Sequence, residues 1–126
     1  MSGEGAAPTT PTVLALVRDL FFRSKMDAVA SATGAEIAYA STLDAAAKRC
    51  AELQPGLKLV VADLSDASFP ALETATRIHD AAPGARLVGF ASHVDLKPLA
   101  AARAAGFSLT LSKSEFTARL PDLLKS

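Results

Sequence analysis

Five short apolar runs, each of strand length and each followed within a few residues by a stretch of helical spacing, organise this chain of 126 residues. The runs are Val13 to Val17, Ile37 to Ala40, Leu59 to Asp63, Arg86 to Phe90 and Ser108 to Leu111. Regular alternation with connections this short argues for a parallel sheet wrapped by helices on both faces. Strands covered on both faces read as continuous apolar runs, as VLALV and LVVA do. Right-handed crossovers leave few strand orders. Five strands best suit the order 2-1-3-4-5, whose switch point lies between strands one and three. The expectation is one α/β domain over residues 13–126, a doubly wound five-stranded parallel sheet.

The helices have their own punctuation. Phe22, Met26, Val29 and Thr33 recur at helical spacing, and Gly34 supplies the stop. Ser41 and Asp44 stand at capping-box-like spacing before a helix that runs to Leu53 and closes at the Pro55-Gly56 turn. A third helix is expected from Pro70 to Ala82, ending at Pro83-Gly84. Asp95 is placed to cap a fourth helix that reaches Ala105, with Gly106 at its end. The last helix should start near Ser114, and Pro121 should break or kink it around its second turn.

Bulk properties exclude several functions. Half the residues are apolar, and thirteen basic residues balance thirteen acidic ones, so no surplus positive charge exists to drive binding to nucleic acid or an anionic membrane. The single cysteine, Cys50, makes no internal disulfide and reads as a small buried apolar group in the run Leu43, Ala47, Cys50, Leu53. Residues 1–12 have no apolar stretch and read as a flexible tail rather than a signal peptide. No run approaches the roughly 20 apolar residues of a membrane helix, so a cytoplasmic protein is expected. There is no G-x-S-x-G elbow, no Walker A loop and no G-x-G-x-x-G after the first strand, and the protein is not expected to be an enzyme.

Three polar residues fall just past strand ends: Asp19, Asp63 and Lys113. In an open parallel sheet that edge forms the ligand crevice, and two carboxylates with an ammonium converging there suit an ion or a phosphoryl group. On these residues the chain resembles the response-regulator receiver (CheY-like) domain, with its flavodoxin-like strand order. In that family an acidic pair after strand one and an aspartate after strand three hold magnesium, and the latter accepts a phosphoryl group from a histidine kinase. A Thr or Ser after strand four and a Lys after strand five contact the phosphoryl oxygens. The resemblance makes Asp63 in VVADLS the phosphoacceptor candidate, Asp19 in LVRDLF the second acid of the pair, and Lys113 in LTLSKS the lysine.

The chain also departs from the family pattern. Arg18 replaces the first acid; Ala91 falls on the hydroxyl position, with Ser92 one residue late; Thr110 stands at the aromatic switch position; Ser114 follows the lysine where proline is usual. A full site of three carboxylates, one lysine and a divalent ion sums to neutrality, and so do two carboxylates with Arg18 and Lys113 and no metal. If Arg18 points inward, it takes the ion's space and pairs with Asp63 or Asp19. A divalent ion then meets like charges, each close pair costing about 4 kcal/mol at an effective dielectric of roughly 20. If Arg18 turns outward it is a solvated charge, and Asp19 with Asp63 keeps a weak metal site. Ser92 substitutes for the missing hydroxyl only if the strand end shifts by one residue.

The pattern is therefore that of a degenerate receiver, or pseudo-receiver, needing no cofactor and acting as a stand-alone domain in bacterial two-component signalling, with Arg18, Asp19, Asp63 and Lys113 expected to form a metal-free ion cluster that locks one conformation in place of the magnesium site. Its partners would be signalling proteins, a histidine kinase or a target regulator, or a second copy in a homodimer. The alternative is a working phosphorelay receiver phosphorylated on Asp63, with Ser92 and Lys113 on the phosphoryl oxygens and magnesium on Asp19 and Asp63. Leu20 and Phe21 stand beside the acidic site, where an apolar patch favours a protein or a small apolar ligand over a hydrated ion. By resemblance, Lys97, Ala101 and Leu109 are interface candidates on the usual dimer and partner face of the fourth helix, fifth strand and fifth helix. His93 and Asp95 form a lone His-x-Asp without further ligands, and His79 reads as a surface residue.

Overall fold

The computed structural model describes residues 11–92 and 97–125. Its elements are β1 (Val13–Leu16), α1 (Leu20–Thr33), β2 (Ile37–Tyr39), α2 (Leu43–Leu53), β3 (Leu59–Asp63), α3 (Ala71–Ala81), β4 (Arg86–Ala91), α4 (Lys97–Ala105), β5 (Leu109–Ser112) and α5 (Lys113–Lys125). All strand pairs are parallel, in the order β2-β1-β3-β4-β5. This is the 2-1-3-4-5 order expected from the alternation.

The period of two along each strand divides the core into two layers. Leu14, Leu16, Val60, Ala62, Leu87 and Ala91 face α2, α3 and α4, where they meet Ala46, Cys50, Ile78 and Leu99. Val13, Ala15, Val17, Leu59, Val61, Val88 and Phe90 face α1 and α5. There Phe90 stacks on Phe116 with centroids 4.4 Å apart, and Phe22 tilts against both rings at 5.4 Å and 6.0 Å. Gly89 keeps the other face open. A Cβ there would stand 2.5 Å from Leu64 Cδ1 and 3.0 Å from the Phe107 ring, so the tight crossing of those side chains over β4 requires glycine.

Several local details differ from the sequence reading. The α2 cap is Thr42, whose Oγ1 accepts from the Ala45 amide at 3.0 Å, because Ser41 faces away to take a hydrogen bond from Arg23 Nη2 at 2.9 Å. Thr12, read as tail, is half-buried, and its carbonyl accepts from the Lys58 and Leu59 amides at 2.9 Å and 3.2 Å. The helix α5 runs on through Pro121 instead of breaking there. Pro121 removes one intrahelical hydrogen bond, but Leu120, Leu123 and Leu124 are buried against the sheet and hold both sides of it in place. Gly34 ends α1 at φ 77°, and Gly106 follows α4 at φ 105°, as read. Residues 1–10 of the tail, and His93 and Asp95 with the expected α4 cap, lie outside the described residues.

The Phe22–Phe90–Phe116 cluster ties α1 and α5 to β4, so it fixes the two helices that wall the site. Phe116→Ala should cost about 3–5 kcal/mol of unfolding free energy in a denaturant titration, the range for truncating a fully buried phenylalanine.

Candidate functional site at the carboxyl edge of the sheet

Asp63 is the last residue of β3, the first polar group after four buried apolar residues, and it is itself only half-buried. Its Oδ1 accepts from the Ser65 amide at 3.0 Å, closing a turn over Leu64. Burial is the largest influence on this carboxyl and raises its pKa above the ordinary value. The Ser65 amide and then the Lys113 charge oppose that rise, while the Asp66 and Asp19 charges add to it. Asp63 thus feels Asp19, Asp66 and Lys113 at once, and the first and last of these were expected there.

Asp19 has a structural task that the sequence reading overlooked. It is the N-cap of α1, its Oδ1 accepting from the Phe21 amide at 2.9 Å and the Phe22 amide at 3.2 Å. Lys113 opens α5 with its ammonium 4.6 Å from the centroid of the Phe22 ring, a cation–π contact at the rim of the crevice. The start of α5 is a capping box. Ser112 Oγ accepts from the Glu115 amide at 3.2 Å, and Glu115 Oε1 accepts from the Ser112 amide at 3.0 Å, which holds the Glu115 carboxyl below its ordinary pKa. The box replaces the proline that the resemblance led one to expect after the lysine.

Arg18 does not turn onto Asp63 or Asp19. Its Nη1 donates to Ser68 Oγ at 3.0 Å and lies 3.7 Å from Asp66 Oδ1, crossing from the end of β1 to the loop between β3 and α3. With its side chain 55% exposed, the guanidinium stays in water while it reaches Asp66, so it gives up little hydration to make the pair. Asp66 in turn accepts from the Ser68 amide at 2.9 Å, so Arg18 grips a loop that is already closed on itself.

At the end of β4, Ala91 is buried in the α2–α3–α4 layer, pairs with Ser112 across the strands, and brings no hydroxyl to the crevice. Ser92 follows, its amide donating to Ser65 Oγ at 2.7 Å. Thr110 at the switch position accepts from Arg103 Nε at 3.1 Å, linking β5 to α4. Lys97 and Ala101 stand exposed on α4, and Leu109 is half-buried against the α1–α5 layer. The sequence reading missed Ser65, Asp66 and Ser68. Their signal was present as two consecutive Asp-x-Ser turns, Asp63 to Ser65 and Asp66 to Ser68, and S-K-S-E likewise announced the α5 box.

Arg18 leaves the edge one carboxylate short of the set that the resemblance would gather around a divalent ion. Among the described residues, no three His, Cys, Asp or Glu side chains gather into a group that could hold a metal. One oxygen each of Asp19 and Asp63 is occupied by backbone amides, and Asp66 faces a guanidinium.

No protein-family description and no curated protein matches the chain. Structural neighbours are nevertheless consistent. A response regulator protein from Burkholderia pseudomallei, solved with a phosphorylated aspartic acid, a calcium ion and citrate, superposes with TM-score 0.74 at 16% identity, over 92% of this chain and 67% of that one. A response regulator from Thermotoga maritima gives 0.70 at 18% identity, over 94% and 100% of the two chains. A CheY-like receiver domain protein from Methanospirillum hungatei gives 0.72 at 14%, over 92% and 94%. The fold is therefore the receiver α/β fold, with five parallel strands and five helices. No described helix is long and apolar enough to cross a membrane.

The raised pKa of Asp63 fixes the sign of a stability effect. A carboxyl that holds its proton more tightly when folded costs stability as it ionises, so this cost is absent at acid pH and grows as pH rises through the folded pKa. Asp63→Asn, which keeps an oxygen for the Ser65 amide, should therefore be more stable than wild type at neutral pH. The gain should vanish in acid, as read by paired denaturation curves at the two pH values.

Proposed function

We propose that this protein is a pseudo-receiver: a receiver fold that acts in bacterial signalling through protein contacts, without turnover, phosphoryl transfer or a magnesium ion. The observation that carries this reading is the fate of the replaced residues at the carboxyl edge. Where the resemblance calls for a third carboxylate, Arg18 grips Asp66 and Ser68; where it calls for a hydroxyl, Ala91 is buried in the core. Phosphoryl transfer consists almost wholly of positioning and charge neutralisation, so loss of a metal ligand and a hydroxyl together removes most of what drives it. The hydrogen bonds from Arg18 to Ser68, from the Ser92 amide to Ser65 and from Arg103 to Thr110 tie the surrounding loops and strands in one arrangement. The arginine thus belongs to an ion pair that bridges two loops, beside the carboxylates rather than between them.

In this role the protein presents a fixed surface to a kinase or a target regulator in the cytoplasm, and a homodimer through Lys97, Ala101 and Leu109 is one form of that contact. Exposed apolar residues beside the site, Leu20 and Phe21, support a contact role. One observation favours the second reading, a phosphoacceptor receiver. Asp63 closes β3 within reach of the Lys113 charge, and a structure of the same fold carries a phosphorylated aspartic acid. There Lys113 and Ser92 would hold the phosphoryl oxygens, and Asp19 and Asp63 a magnesium ion.

Intact mass after incubation with magnesium and a small-molecule phosphodonor separates the two readings. The pseudo-receiver stays at its own mass, as does Asp63→Asn. An adduct of one phosphoryl group on wild type, absent from the variant, would make the protein a phosphoswitch.

A further inference from the structure

Among the described residues, the large apolar side chains that stand exposed are Leu20, Phe21 and Leu72. All three lie in the first turn of a helix that begins at the carboxyl edge of the sheet, Leu20 and Phe21 on α1 in the α1–α5 layer and Leu72 on α3 in the α2–α3–α4 layer. Leu72 borders a shallow groove with Leu43, Glu73 and Arg77, where both signs of charge occur and Arg77 is held by Asp44 at 2.8 Å. Nothing there selects a partner.

The groove at Phe21 does. It is an open trough of about 510 Å³ between α1 and α5, with Phe22 at its base and Phe21, 89% exposed, on one wall. Phe21 and Lys25 stand one turn apart on α1, and Lys113 and Thr117 one turn apart on α5, so the walls are two helical ridges rising from the same edge. Positive charge is in excess in the walls: the exposed Lys25 and Lys113 stand against one carboxylate, Asp19, whose Oδ1 is taken by the amides it caps.

Resting on the reading that the protein works through contacts, we propose that this trough receives an acidic amphipathic helix of a partner protein. The apolar stripe of that helix covers Phe21, and its carboxylates, one turn from the stripe, pair with Lys25 and Lys113. A trough this open cannot enclose a small molecule, and its exposed phenylalanine needs the broad apolar cover that a helix laid in a groove supplies. The two lysines fix the sign of the partner's charge.

Two synthetic helical peptides of equal length test the proposal, each with a leucine stripe, one flanked by glutamates and the other by lysines. Backbone amide shifts of the full chain report where each binds. The glutamate peptide should shift the amides of residues 20–25 and 113–117 saturably, and Phe21→Ser and Lys25→Glu should each weaken it about tenfold or more. Both positions are exposed, and unchanged amide dispersion confirms that the variants fold. Four results would overturn the proposal: no saturable shift; shifts centred on Leu72; equal binding of the lysine peptide; or shifts in the trough that follow protein concentration alone, which would make a second copy the occupant. Failure of the peptides without a phosphoryl adduct removes the trough proposal and leaves the pseudo-receiver reading in place. An adduct on Asp63 removes that reading whatever the peptides do.

Discussion

The site depends on where a strand buried on both faces can stop being apolar. In β1, β3 and β4 every residue inside the layers is covered on both sides, so a carboxylate or an ammonium is tolerated only at the ends. The parallel arrangement then gathers those ends at one edge, with the helix N-termini of α1, α3 and α5 above them. Asp63 marks that boundary. Half-buried, it carries the desolvation of the edge, which Ser65 and Lys113 only partly relieve.

The remaining chemistry follows from what reaches this carboxylate. Three carboxylates stand at this edge, and each has a protein partner for one of its oxygens. Asp19 turns up to the α1 amides, Asp66 turns across to Arg18, and Asp63 leans on its own turn. The guanidinium joins the β1–α1 and β3–α3 connections, a bridge between loops that needs no metal. Because the pair is exposed, its contribution to stability is on the order of 0–1 kcal/mol, so its importance lies in geometry rather than in holding the fold.

The sequence made the sheet order, the five helices and the three edge residues legible because each rests on a local pattern repeated along the chain. Continuous apolar runs marked the strands, and Gly34 and Gly106 marked two helix ends. The direction of Arg18 was not legible, since its partners Ser68 and Asp66 stand on another connection far along the chain, a contact between loops that no local pattern shows. The expected break at Pro121 is absent for a similar reason. The local penalty was read correctly, but the burial of Leu120, Leu123 and Leu124 outweighed it. Thr42 displaced Ser41 as the α2 cap because Arg23 reaches over from α1, a contact between elements that no local pattern shows.

We propose that the edge works without a divalent ion because an arginine stands where the resemblance calls for an acid. Calorimetric titration of magnesium into wild type and Arg18→Asp tests it most directly. Wild type should show no saturable binding and the variant a measurable site, where a new carboxylate joins Asp19 and Asp63 and frees Asp66. Saturable binding by wild type, unchanged in the variant, would contradict it.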